Sequence, residues 1–169
     1  HDGVGYLFPE IAEVTLATGG RKGAWTRISA QRSDRAVTDS VFTLTVTHGK
    51  RPEGKSYAYA LFPGTTIANM SELAKRKTFE IQVNTAQQQA VWCEADRALG
   101  IVFYEPGKLE AMGWQVEADR GCVILLRQEG HVWTLSAADP TAAAGTLSLK
   151  IKQGKKQRRD IQLALPEAA

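Results

Sequence analysis

The 169-residue chain is 43% apolar and 23% charged, the proportions of an ordinary globular protein, which exclude a disordered or fibrous chain. Its 21 Lys and Arg against 18 Asp and Glu leave a net charge of +3. That excess is too slight to argue for nucleic acid and only mildly favours an anionic partner. No apolar run approaches the roughly 18 residues needed to span a bilayer, so no membrane partner is expected.

The predicted elements are almost all strands. Residues 4–8 (VGYLF) form an apolar and aromatic run closed by Pro9, and residues 13–16 alternate until a turn at Thr18, Gly19 and Gly20. A third strand is expected over 25–29, followed by a polar loop from Gln31 to Ser40. Residues 41–48 and 56–62 then read as the two arms of a long hairpin, because the intervening GKRPEGK is too polar and too rich in Gly and Pro to continue either strand. In the first arm Phe42, Leu44, Val46 and His48 share a face. In the second, Tyr57, Tyr59 and Leu61 lie opposite Ala58, Ala60 and Phe62. Such aromatic faces build a core or bind a flat ligand, and core is the commoner use.

After Pro63-Gly64, Thr65 or Thr66 caps a helix over residues 67–75, with Ile67, Met70, Leu73 and Ala74 at helical spacing and basic residues at its end. The strand pattern resumes at 79–83, 90–94, 100–104, 114–116, 122–127, 132–137, 146–151 and 160–165. Short strands at intervals of about 8 to 12 residues predict an all-β, antiparallel sandwich rather than a parallel sheet. The break at residues 75–78 divides the chain into domains at 1–78 and 79–169, and TAAAG at 141–145 reads as a loop of small residues. A chain opening on His1 rather than Met is expected to be a mature or excised piece of something longer.

The residues offer little catalytic chemistry. Cys93 and Cys122 pair only if their strands lie adjacent; otherwise they are small buried hydrophobes. No cluster has metal-ligand spacing, so neither metal nor cofactor is expected. His1, His48 and His131 sit in unrelated contexts. His48 closes a strand, where it is either a general base at a sheet rim or, more commonly, a satisfied strand-end residue. Asp2, Glu10 and Glu13 suggest paired carboxylates, but exposed turn acids are the ordinary reading. Lys150, Lys152, Lys155, Lys156, Arg158 and Arg159 cluster across a turn at Gln153-Gly154; they either contact a sulfated or carboxylated polymer or protect a sheet edge.

Several stretches carry a resemblance. HDGVGYLFP at the start, Phe42-Thr43-Leu44 running to His48-Gly49, and Ser56-Tyr57-Ala58-Tyr59 with Leu61-Phe62-Pro63 resemble the later β-region of polysaccharide lyase family 8, which includes hyaluronate, chondroitin AC and xanthan lyases. Gln89-Ala90-Val91-Trp92 and Leu99-Gly100-Ile101-Val102-Phe103 are similar to the opening of that family's small C-terminal β domain. The resemblance implies the end of a β super-sandwich followed by a small β-sandwich domain. It implies a secreted or periplasmic parent enzyme that cleaves acidic polysaccharide by β-elimination. It also implies that the Asn, His, Tyr and Arg of catalysis belong to a missing N-terminal α/α toroid, so no catalytic position is assigned here. Some family members bind calcium or magnesium, but no ligand set is recognisable in this sequence. A severed β-region is expected to expose apolar surface where its missing half packs. The competing class is an autonomous carbohydrate-binding or adhesion β-sandwich, which would stack sugars on Trp25, Tyr57, Tyr59, Trp114 or Trp133.

Overall fold

The computed structural model describes residues 1–76, 78–141 and 143–166. Lys77, in the expected domain break, and Ala142, in the small-residue loop, lie outside the described residues. The chain divides into two compact units, His1–Ala74 and Lys75–Ala169, and its sheets are antiparallel throughout.

The first unit contains two separate two-stranded sheets. Strands β1 (Val4–Leu7), β2 (Val14–Gly23), β3 (Val37–Val46) and β4 (Ala60–Pro63) pair as β1 with β4 and β2 with β3. The hairpin expected over residues 41–62 therefore does not form. Its first arm turns back onto β2, from Val14 opposite Val46 to Gly23 opposite Val37, and its second arm joins β1. The connection passes through Gly49, Arg51 and Gly54, all with positive φ, too long and irregular to impose local pairing.

The same pairing overturns three neighbouring expectations. Gly19 and Gly20 lie inside β2 opposite Val41 and Ser40 instead of making a turn, and Val37–Ser40 of the expected loop belongs to β3. Trp25–Arg27 is a 3-10 turn, closed by the Ile28 N–H donating to the Trp25 carbonyl at 3.0 Å, not a strand. Helix α1 occupies Ile67–Lys75 as expected, with the Thr66 hydroxyl accepting from the Asn69 N–H at 3.2 Å as its N-terminal cap. Gly5 faces this helix closely enough that a Cβ would lie 2.1 Å from the Met70 sulfur.

Gly5 is the only buried residue among the described residues of the first unit. Phe42, Leu44 and Val46 are partly covered, but Leu16, Trp25, Tyr57, Tyr59 and Leu61 are all at least half exposed. The core reading of Tyr57 and Tyr59 thus fails. Two-residue alternation places Ala58, Ala60 and Phe62 inward instead.

The second unit is a sandwich with its own core. Its strands are β5 (Phe79–Asn84), β6 (Gln88–Cys93), β7 (Ala98–Phe103), β8 (Gly107–Ala111), β9 (Trp114–Ala118), β10 (Cys122–Glu129), β11 (Val132–Ala138), β12 (Gly145–Gln153) and β13 (Arg159–Leu165). They form one sheet in the order β11-β10-β7-β6-β5 and another in the order β13-β12-β9-β8. Strand β8 is absent from the expected set because its only buried side chain, Leu109, sits among charged neighbours and gives almost no alternation. Met112 and Gly113, with φ of 50° and 74°, make the tight two-residue turn into β9.

Between the sheets Trp92, Leu99, Ile101, Ile124, Leu126, Leu147 and Leu149 are buried, and no described polar or charged residue is buried with them. Cys93 and Cys122 are free thiols. They flank opposite ends of β7, opposite Ala98 and Phe103 respectively, about 17 Å apart along the strand and far beyond disulfide reach. Burial pushes the Cys122 thiol up to about 11, as expected of an inert core thiol.

Candidate functional site

The first unit's long ribbon borders a concave surface. Because Val14 pairs with Val46, the segment entering β2 meets the segment leaving β3, and the Thr47 N–H donates to the Glu13 carbonyl at 2.9 Å. Residues 55–58 close the third side. The result is an open cleft of about 370 Å³, lined by Glu10, Glu13, Val46, His48, Lys55 and Tyr57 among others.

A row of rings runs beside it. His48 and Tyr57 have centroids 5.8 Å apart; Tyr57 and Tyr59 stack at 6.2 Å with planes 8° apart; Phe8 follows Tyr59 at 6.3 Å. Aromatic neighbours at these distances attract weakly; Tyr57 and Tyr59 lie parallel, while His48 is tilted by 46° from Tyr57 and Phe8 by 39° from Tyr59. The row can therefore cover the apolar face of a sugar ring or the inner face of another sheet. It has little catalytic character. His48 touches the Tyr57 ring and, among the described residues, makes no hydrogen bond that would fix its tautomer as a working base.

The remaining candidates are scattered. His1 stacks on Phe42 at 4.5 Å and contacts the Asp2 carboxylate at 3.0 Å, and His131 lies in the β10–β11 turn of the other unit. Of the suspected acids, Glu10 and Glu13 line the cleft, but the cleft does not include Asp2. No group of three His, Cys, Asp or Glu among the described residues is arranged to hold a metal ion.

The five candidate sugar-stacking aromatics separate by unit. Trp25, Tyr57 and Tyr59 are half exposed, and Trp25 lines a second groove of about 270 Å³ with Arg21, Lys22, Ile28 and Val37. Trp114 is buried in the second unit's core and is not free to stack on a sugar; it meets the partly buried Trp133 edge to face at 4.8 Å. Sequence reading missed Phe8 and Lys55 as parts of one surface. Only the Tyr57-x-Tyr59 spacing announced the row.

In the second unit the polar geometry is structural. Asp139 accepts from the Thr141 N–H and hydroxyl at 2.8 and 2.6 Å and from Arg120 at 2.7 Å. Those bonds, led by the Thr141 hydroxyl, hold its carboxyl below the usual range. Asp119 is held low chiefly by the Ser148 N–H at 2.9 Å. Both acids fasten loops beside β12.

Residues 1–74 match the model of the polysaccharide lyase family 8 super-sandwich domain, and residues 80–148 match that family's C-terminal β-sandwich domain. The chain is 34% identical to the chondroitinase-AC of Pedobacter heparinus over its whole length, covering 25% of that protein. It is 32% identical to a hyaluronate lyase of Enterococcus faecalis, with 88% of the chain aligned to 15% of that relative. It is 29% identical to the xanthan lyase of a Bacillus species, with 88% aligned to 16%. A solved chondroitinase AC lyase superposes with a TM-score of 0.83 at 32% identity, covering 99% of this chain and 25% of that one. A Paenibacillus xanthan lyase gives 0.72 at 25% identity over 88% of this chain and 14% of that one. The chain thus spans a quarter or less of the length of these relatives, and over that length both halves of the fold, and their order, are theirs. It belongs to polysaccharide lyase family 8.

Proposed function

We propose that this chain is the β portion of a secreted or periplasmic lyase that cleaves an acidic polysaccharide of the hyaluronan, chondroitin or xanthan type by β-elimination. In that reaction the C5 proton of a uronic acid is removed, the C4–O bond breaks, a C4–C5 double bond forms, and the departing oxygen takes a proton. The acid and base must stand within hydrogen-bond reach of those atoms. They are assigned to the remainder of the parent enzyme; this chain supports the structure around the cleft without carrying the chemistry.

The observation that best supports the supporting role is the state of the first unit. That unit exposes Leu16, Trp25, Tyr57, Tyr59 and Leu61 and buries only Gly5 among the described residues. Two-stranded ribbons with a bare apolar face are marginal alone and need another layer. The test is an ultraviolet assay for unsaturated uronides after incubating the pure chain with hyaluronan, chondroitin or xanthan. No product is expected, and clear turnover would overturn the assignment of catalysis to the remainder.

An autonomous carbohydrate-binding module is the second reading, favoured by the stacked, half-exposed Tyr57 and Tyr59. The residues preceding His1 in the parent discriminate. A long helical pattern supports the lyase, and a short leader supports the module.

A further inference from the structure

The basic cluster of the β12–β13 hairpin has two readings, edge protection and anion contact, and its placement separates them. Strand β13 is an outer strand of its sheet. Its length after Asp160 is Ile161, Gln162, Leu163, Ala164 and Leu165, which carry no charge at all. Edge protection works by placing charge along the open strand. Here the cations crowd the tip, so the edge does not explain them.

The tip is also held in place. The Gly154 N–H donates to the Gly113 carbonyl at 2.8 Å, tying the hairpin to the β8–β9 turn, and the Lys156 N–H donates to the Gln153 carbonyl at 3.0 Å. Gly154 permits this geometry with a φ of 54°. Not every cation there is available. Lys150 pairs with Glu117, and Arg158 with Asp160 at 3.1 Å. Lys152, Lys155, Lys156 and Arg159, by contrast, form no ion pair among the described residues. Lys156 reaches only the Gln153 amide oxygen at 3.1 Å. In a chain of net charge +3, these cations all fall within residues 152–159, at the braced tip of one hairpin of the unit that has its own core.

We propose that this hairpin tip, through Lys152, Lys155, Lys156 and Arg159, is a docking site for a sulfated or carboxylated glycan chain. The choice of glycan rests on the lyase reading; the choice of a polyanion rests on the hairpin itself. No aromatic side chain is interleaved in residues 150–160, so the stacking platform typical of single-stranded nucleic acid sites is missing. Charge-assisted contacts of exposed lysines are individually weak and screened by salt, which makes the site an anchor that raises local substrate concentration.

The test measures binding of the full 169-residue chain to immobilised chondroitin sulfate at low and near-physiological salt. A triple variant, Lys152→Ser, Lys155→Ser and Lys156→Ser, is compared with a charge-matched one, Arg32→Ser, Arg35→Ser and Lys50→Ser. Circular dichroism and unfolding midpoints establish that both are folded. The hairpin variant is expected to bind about tenfold more weakly, with a shallower dependence on salt, while the matched variant binds like the parent chain. Equal losses in the two variants would reduce the effect to net charge and overturn the site. So would an undiminished hairpin variant, an unmodified chain that does not bind, or tighter binding of a single-stranded polynucleotide than of chondroitin sulfate. The lyase reading is judged separately, by turnover in the parent enzyme. Failed docking leaves it standing, and a parent without turnover leaves a positive docking result in place.

Discussion

Replacing Ile124 by Ala is expected to lower the unfolding free energy of the second unit by about 3–4 kcal/mol, lost transfer energy and residual cavity together. Ile124 has 0% exposure, lies opposite Ile101 on β7 and Ala137 on β11, and faces a core that includes Leu147 and Leu149 of the other sheet. Neighbours fixed in two hydrogen-bonded ladders cannot collapse into the void, so the cost stays near the high end for a large-to-small change. That is a large share of the 5–15 kcal/mol that holds a typical domain together. The contrasting change is Leu16→Ala in β2, where 60% exposure leaves little burial to lose and an effect under about 0.5 kcal/mol is expected. Denaturant titration of both variants checks the contrast, and a comparable loss in each would contradict the distribution of core described above.

Separating the units should have a larger effect still. Residues 75–169 contain every member of the buried cluster, from Ala90 to Ile151, between two multi-stranded sheets. This piece is expected to unfold in one cooperative transition within about 5 °C of the full chain's main transition, a shift worth about 1 kcal/mol. Residues 1–74 are expected to show no cooperative transition and to bind a hydrophobic dye, because two-stranded sheets whose apolar side chains are exposed cannot offset the entropy of ordering them. Calorimetry of the two pieces decides it: a sharp transition in 1–74 would mean that this unit has a core of its own.

The difference between the units also explains what the sequence could disclose. In the second unit most strands alternate and tight turns such as Met112-Gly113 join neighbours, so the local pattern marked every strand but β8, although it did not announce that β7 pairs with β10 or β9 with β12. Helix α1 was legible for the same reason, since Thr66 caps it and Lys75 ends it. In the first unit the pairing is not local: β1 joins β4 across more than fifty residues, and β3 turns back to β2. Alternation in residues 41–46 marked a strand correctly but carried no information about its partner.

The candidate surface was legible to a similar degree. The spacing of Tyr57 and Tyr59 put both on one face, but nothing local said that the face is open, or that Phe8, Glu10 and His48 come alongside it. Trp25 and Trp114 looked equivalent in sequence; one sits in an exposed 3-10 turn and the other begins a buried strand.

The supporting role is tested most directly by complementation. The portion of the parent enzyme preceding His1 is produced alone, the 169-residue chain is titrated into it, and the formation of unsaturated uronides from chondroitin or hyaluronan is followed by ultraviolet absorbance. The expected result is little or no activity from either piece alone and a saturable gain as the chain is added, because the bare strands of the first unit find the layer that covers them. A preceding portion that is fully active alone and indifferent to the added chain would contradict the account.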